Sequence, residues 1–93
     1  MQRTPEEVVR LILAEHLEVK PNSIQANLNL ETDLGLSPLA VVIVMLDLED
    51  LESVRMPFDR LFSVKTVADL AALLASARVP SLLESESQME HSG

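Results

Sequence analysis

The residues of this chain best suited to chemistry lie in the segment Asp33-Leu34-Gly35-Leu36-Ser37-Pro38-Leu39. Ser37 supplies a hydroxyl directly before a proline and an apolar run. Serine accepts a hydrogen bond from an early backbone N–H of a helix, and proline suits the first helical position because an N–H there would have no helical partner. The pair therefore predicts a helix that begins at Pro38 with Ser37 as its N-cap.

Other reactive groups are few. His16 falls within a predicted helix and His91 in a polar C-terminal stretch, and neither has the spacing of a zinc or EF-hand site. The chain has no Cys, no phosphate loop and no nucleophile elbow. Met45 and Met56 are interpreted as core filler. We predict no metal site and no enzymatic activity.

The charge balance narrows the classes of partner. The net charge is −8 and the sequence pI is about 4.5. Because nucleic acids and anionic lipids repel such a surface, we expect neither as a ligand and expect partner proteins with basic surfaces instead. The longest uncharged run, Leu34–Leu46, has 13 residues and is too short to span a bilayer. With no signal peptide in view, the expected location is the cytoplasm.

Apolar residues at three- and four-residue spacing, with Thr4, Ser37 and Thr66 as caps, predict four helices. The predicted helices span residues 5–17, 38–52, 57–62 and 67–77. The connection at 18–36 is long, but its scattered apolar residues indicate that it packs across the helices. The fold class is therefore all-α: one domain at 1–78, a four-helix bundle with a long loop between helices 1 and 2 and a short third helix. Residues 79–93 are polar and predicted to form a disordered tail.

This layout resembles the acyl carrier protein family. That family begins its second helix with Asp-Leu-Gly-x-Asp-Ser-Leu, and the matching segment here runs from Asp33 to Leu39. The resemblance covers about residues 6–74 without a gap. Its further anchors are Glu15-His16-Leu17-Glu18-Val19, Leu48-Glu49-Asp50 and Val64-Lys65-Thr66-Val67-Ala68-Asp69-Leu70. The resemblance implies a carrier-type bundle that docks onto partner enzymes.

The chain departs from the family at the functional position. The motif's Ser carries a 4′-phosphopantetheine arm, and Pro38 stands in that place without a hydroxyl. Ser37 occupies the place of the preceding Asp and is the one candidate for a shifted attachment site. Such a shift rotates the hydroxyl by about 100° around the helix. Two hypotheses stay open: an arm on Ser37, or a carrier fold that has lost its arm.

The second helix also departs from the family, whose members carry carboxylates near its start to meet Lys and Arg on partner enzymes. The first half of the helix here is uncharged, and acidic residues return only at Asp47. A helix that is apolar on all sides is either buried or part of an interface. We predict a docking surface for an apolar or basic partner, or for a second copy of the chain. Its predicted residues are Leu39, Ala40, Val41, Ile43, Val44, Asp47, Glu49 and Asp50.

The resemblance implies an acyl carrier-like protein that docks onto partners, in fatty acid, lipid or polyketide type biosynthesis. The alternative is an arm-less interaction or self-association module on the same fold. A third class, a small binder of hydrophobic ligands, follows from the aliphatic core.

Overall fold

The computed structural model describes residues 3–78, which form three α-helices and two 3-10 helices. The α-helices are α1 (Pro5–Leu17), α2 (Pro38–Glu52) and α3 (Val67–Arg78). The 3-10 helices span Pro21–Ser23 and Phe58–Ser63. The predicted all-α fold with a long first connection is confirmed. The predicted short third helix is present, but it is a 3-10 helix.

The N-terminus of α1 is fixed by a capping box. The Thr4 hydroxyl accepts the Glu7 N–H at 3.2 Å, and the Glu7 carboxylate accepts the Thr4 N–H at 3.1 Å. The second hydrogen bond lowers the pKa of the Glu7 carboxyl from its ordinary value of 4.5. The helix ends where Glu18 adopts a left-handed conformation with φ 56°. Both ends therefore agree with the sequence pattern.

The long connection is ordered because it pairs with the segment that leads into α3. Leu30 N–H donates to the Lys65 carbonyl at 2.8 Å, and Val67 N–H donates to the Leu28 carbonyl at 3.0 Å. Ile24, Leu30 and Leu36 of this connection are buried in the core. Val19, which follows the left-handed turn that ends α1, is 46% exposed.

The core is aliphatic and is shared by all three α-helices. It contains side chains that are 0% exposed from each of them: Val9 and Leu13, Val44 and Leu48, Leu70 and Leu74. Because α2 reaches this core with one face only, its other faces meet solvent or the 3-10 helix at Phe58–Ser63.

Arg78 closes the bundle at the end opposite to the start of α2. Its Nε lies 2.5 Å from Glu52 Oε1, and its guanidinium also donates to the Arg3 carbonyl at 2.7 Å. The side chains of Arg78 and Glu52 are each only 16% exposed. This cluster ties the last residue of α2 to both ends of the described chain. The predicted tail at 79–93 lies outside the described residues.

Candidate functional site

The start of α2 has the geometry that the Ser-Pro pair predicts. Gly35 adopts φ 71°, a left-handed turn that glycine tolerates without strain. Ser37 is in an extended conformation, and its hydroxyl accepts the Ala40 N–H at 3.2 Å. Pro38 occupies the first position of the helix, and both residues are exposed. Ser37 is therefore the N-cap of α2.

The predicted docking residues on α2 fall into those that are at least partly exposed and those that are buried in the core. Leu39 is 69% and Ile43 43% exposed, and Asp47 and Asp50 are also exposed. Ala40 is half-buried.

Val41 and Val44 are a correction to the predicted surface, because they are 6% and 0% exposed and belong to the core. The first half of α2 has no charged residue to mark the side that faces solvent. The sequence alone therefore could not show which of its residues face the core.

Leu39, Ile43, Leu46 and Asp50 form one exposed line along α2, hereafter the α2 stripe. Their spacing of four, three and four residues places them on a single side of the helix. Leu46, which is 49% exposed, was missed by the sequence prediction. Asp50 was the available signal, since a carboxylate marks the solvent side and steps of four and seven residues back from it reach Leu46 and Ile43.

Two of the predicted acidic docking residues have partners within the domain. Glu49 accepts the Met56 N–H at 2.8 Å and is half-buried, so its carboxylate holds the turn after α2. Asp47 lies 2.6 Å from Nε2 of His16 and so links α2 to α1. Asp50 is exposed beside them. The acidic end of the α2 stripe is therefore Asp50, with Asp47 beside it in contact with His16.

A cavity of about 220 Å³ opens beside Pro38, between the long connection, α2 and the 3-10 helix at Phe58–Ser63. Most of its lining residues are apolar, and Glu31 and Lys65 are its charged members. Phe62 lies at the cavity and is 79% exposed. The lining residues are Asn29, Leu30, Glu31, Thr32, Leu36, Pro38, Val41, Leu61, Phe62, Val64 and Lys65.

The Lys65 side of this cavity is fixed by a second capping box. The Asp69 carboxylate accepts the N–H groups of Lys65 and Thr66 at 2.9 and 3.0 Å, and the Thr66 hydroxyl accepts the Asp69 N–H at 3.1 Å. The hydrogen bond from the Lys65 N–H, followed by that from Thr66, lowers the pKa of the Asp69 carboxyl from its ordinary value of 3.8. The hydrogen bonds that cap the start of α3 thus also fix the backbone of Lys65 in the cavity wall.

Comparison with known proteins identifies the family. Residues 7–74 match the family described as phosphopantetheine attachment site. A probable acyl carrier protein of Caulobacter vibrioides (strain NA1000 / CB15N) is 34% identical over 67 residues, which are 72% of this chain and 72% of that protein. The chain belongs to the phosphopantetheine-attachment family. This family consists of carriers and not of catalysts.

Members of the phosphopantetheine-attachment family are expected to bind 4′-phosphopantetheine in general, so the residues present can be tested against that group. Attachment of the arm requires a hydroxyl. Pro38, at the position that the motif assigns to the attachment serine, has none, and the Ser37 hydroxyl is already the acceptor that caps α2. The residues at the start of α2 therefore do not fit an arm in the position that the family uses.

Within residues 3–78, no group of three or more His, Cys, Asp or Glu side chains is arranged to hold a metal ion. In the same part of the chain, no helix has the length and apolarity to cross a membrane.

Proposed function

We propose that the chain is a carrier-fold protein that acts by docking onto other proteins through the α2 stripe, without a phosphopantetheine arm. The observation that carries this proposal is Pro38 at the first position of α2, where the family motif has its attachment serine. The scaffold is otherwise retained from residue 7 to residue 74. A carrier fold that lacks the attachment hydroxyl keeps one of the two activities of a carrier, the recognition of partners.

The composition of the α2 stripe indicates the chemistry of the partner. Leu39, Ile43 and Leu46 are exposed aliphatic side chains aligned on one side of α2. A contiguous exposed apolar patch of this kind favours a contact surface. The stripe ends in Asp50 beside Asp47, and no basic residue occurs between Glu31 and Glu52. The complementary partner surface is therefore apolar in its centre and carries Lys or Arg at the end that meets Asp50.

A second copy of this chain fits the α2 stripe less well. Two copies that pack α2 antiparallel would bring Asp50 of one copy towards Glu31 and Asp33 of the other, at the start of its α2. Like charges that face one another across an interface oppose association, and each copy already carries a net charge of −8. A different protein is thus the better occupant.

An arm on Ser37 is the second candidate function, because the Ser37 side chain is exposed to solvent and bears a hydroxyl. In that case the chain would shuttle acyl groups in fatty acid, lipid or polyketide type biosynthesis. The two functions differ in one covalent group, so they differ in mass.

The intact mass of the protein purified from its native host tests the proposal. We expect the unmodified mass. A gain equal to one phosphopantetheine group, absent from the Ser37→Ala variant, would replace the proposal with the second candidate. Ser76→Ala, which removes an exposed hydroxyl from α3, is the matched control and should leave the mass pattern unchanged.

Docking through α2 is tested with a photo-crosslinking side chain at position 46 in native-host cells. We expect a defined crosslinked product that disappears when Ile43→Asp is added. The same crosslinker at Ser76 on α3 is the control and should give no such product. Equal labelling from both positions would contradict a specific role for the α2 stripe.

A further inference from the structure

The cavity beside Pro38 lies at the N-terminal end of α2, where the α2 stripe begins. Pro38 lines the cavity, and the next residue, Leu39, is the first member of the stripe. Phe62 borders the cavity and is 79% exposed, so its ring extends the same apolar surface. A partner segment that runs along the stripe and continues over the N-terminal end of α2 would reach the mouth of the cavity.

The size of the cavity decides what kind of group it accepts. Small-molecule sites usually enclose about 300–1,000 Å³, whereas this cavity encloses about 220 Å³. A volume of this size accommodates one large side chain. Energetically dominant contacts in protein interfaces are commonly of this type, an apolar or aromatic side chain seated in a pocket at the centre of the contact.

The charges around the cavity favour an uncharged occupant. Glu31 and Lys65 are the charged residues of its lining, and they are opposite in sign. The remaining wall is largely aliphatic and includes Leu36, Val41 and Val64. Asp47 and Asp50 lie further along α2, about 14 Å and about 18 Å from Pro38 at about 1.5 Å per residue.

From these observations we infer that the cavity beside Pro38 is a socket for one large apolar side chain of the docking partner. The partner segment lies along the α2 stripe, with its apolar anchor in the socket and a Lys or Arg about 18 Å away against Asp50. The inference rests on the proposed docking function. It assigns Pro38, which cannot hold an arm, a role as part of the wall that receives the partner.

A free lipid in the cavity would leave Leu39, Ile43 and Leu46 uncovered, since these side chains are not part of the cavity lining. A second copy of the chain would bring another net charge of −8 to a surface that already ends in Asp50. A protein with an apolar anchor and a distant cation satisfies the cavity, the stripe and the acidic end together.

The experiment places a photo-reactive lysine analogue at position 65, on the rim of the socket, and in a second protein at position 46, in the middle of the stripe. Crosslinking is carried out in native-host cells, and mass spectrometry identifies the residue that each probe has captured. We expect both positions to capture the same protein. The residue captured from position 65 should be Leu, Ile, Met, Phe, Tyr or Trp, or its immediate neighbour in the sequence.

Thr32→Trp then tests the socket by itself, with Thr32→Ser as the matched control. Thr32 lines the cavity and is exposed, so a larger side chain there narrows the mouth without entering the core. With the captured protein as titrant, we expect Thr32→Trp to raise Kd at least about tenfold, the loss expected when one apolar side chain is no longer buried. Thr32→Ser should change Kd less than about twofold.

The outcomes separate the socket from the docking function. If position 46 captures no protein, the proposed docking fails. If position 46 captures a protein but Thr32→Trp binds it as tightly as the unchanged chain, docking stands and the socket is wrong. The inference would also be overturned if the probe at position 65 captured a lipid, or if it captured Phe62 of a second copy of this chain.

Discussion

Ser37 and Pro38 occupy the positions where the carrier motif has an Asp-Ser pair. Ser37 caps α2 through its hydroxyl, as the Asp of the motif could through its carboxylate, while Pro38 fixes the first turn and offers no hydroxyl. Helix initiation is thereby kept, while the motif's serine hydroxyl is absent from position 38. The sequence alone was sufficient to predict the cap and the start of α2, because capping is a local interaction.

The capping role of Ser37 predicts a loss of stability on its removal. Ser37→Ala leaves the Ala40 N–H without its side-chain acceptor, and we expect the free energy of unfolding to fall by about 1 kcal/mol. Urea denaturation measures this change, with Ser76→Ala on the exposed side of α3 as a control. An unchanged midpoint for Ser37→Ala would mean that the hydroxyl does not cap α2.

Asp69 predicts a pH dependence. Its pKa in the folded protein lies below the ordinary value of 3.8, because its carboxylate accepts the N–H groups of Lys65 and Thr66. A group whose folded pKa is lowered stabilises the protein above the unfolded pKa, and this contribution is lost as the pH falls through the folded pKa. We therefore expect the stability difference between the unchanged chain and Asp69→Asn to be largest near neutral pH.

The measurement for Asp69 is a series of urea denaturations of both proteins from neutral pH to about pH 3. The difference should begin to shrink near 3.8 and continue to shrink below it. A difference that is constant over this range would contradict the assigned hydrogen bonds. Ser63→Ala, which alters a local hydroxyl contact without a carboxylate, should give a pH-independent difference.

At the scale of the element, α2 explains both what the sequence predicted and what it missed. Its bounds followed from the Ser37 cap and the breaks after Glu52, because these are local signals. Its orientation about its own axis did not follow, because the run before Asp47 is apolar on every side. Val41 and Val44 were placed at the surface and lie in the core, while Leu46 was missed and lies in the α2 stripe.

A matched pair of leucines tests the orientation of α2. Leu48 is 0% exposed, so Leu48→Ala should leave a cavity in the core and lower the free energy of unfolding by about 2–5 kcal/mol. Leu46 is 49% exposed, so Leu46→Ala should change it by less than about 0.5 kcal/mol. Equal losses in urea denaturation would mean that the helix is rotated from the orientation described.

For the molecule as a whole, the Arg78 cluster joins elements that are far apart in sequence. No pattern in the sequence indicated that Arg78 would meet Glu52 and the Arg3 carbonyl, because such contacts depend on how the helices pack. The long connection is a similar case. Its apolar residues predicted packing, but its pairing with the segment before α3 became visible only in three dimensions.

Loss of the Arg78 cluster should weaken the whole bundle. Arg78→Ala leaves the Glu52 carboxylate, 16% exposed, without its cation, and we expect a loss of about 1–3 kcal/mol in the free energy of unfolding. Arg60→Ala removes an exposed cation and is the control. A double-mutant cycle with Glu52→Ala should return a favourable coupling energy, and a coupling near zero would contradict the assigned pair.

We propose that the carrier scaffold is retained while Pro38 closes its attachment position. The most direct test incubates the purified protein with coenzyme A and a broad-specificity phosphopantetheinyl transferase, beside the double variant S37D/P38S, and measures intact masses. The double variant restores the family's Asp-Ser-Leu and should gain one phosphopantetheine group, while the unchanged chain gains none. An unchanged chain that gains the group at Ser37 would contradict the account.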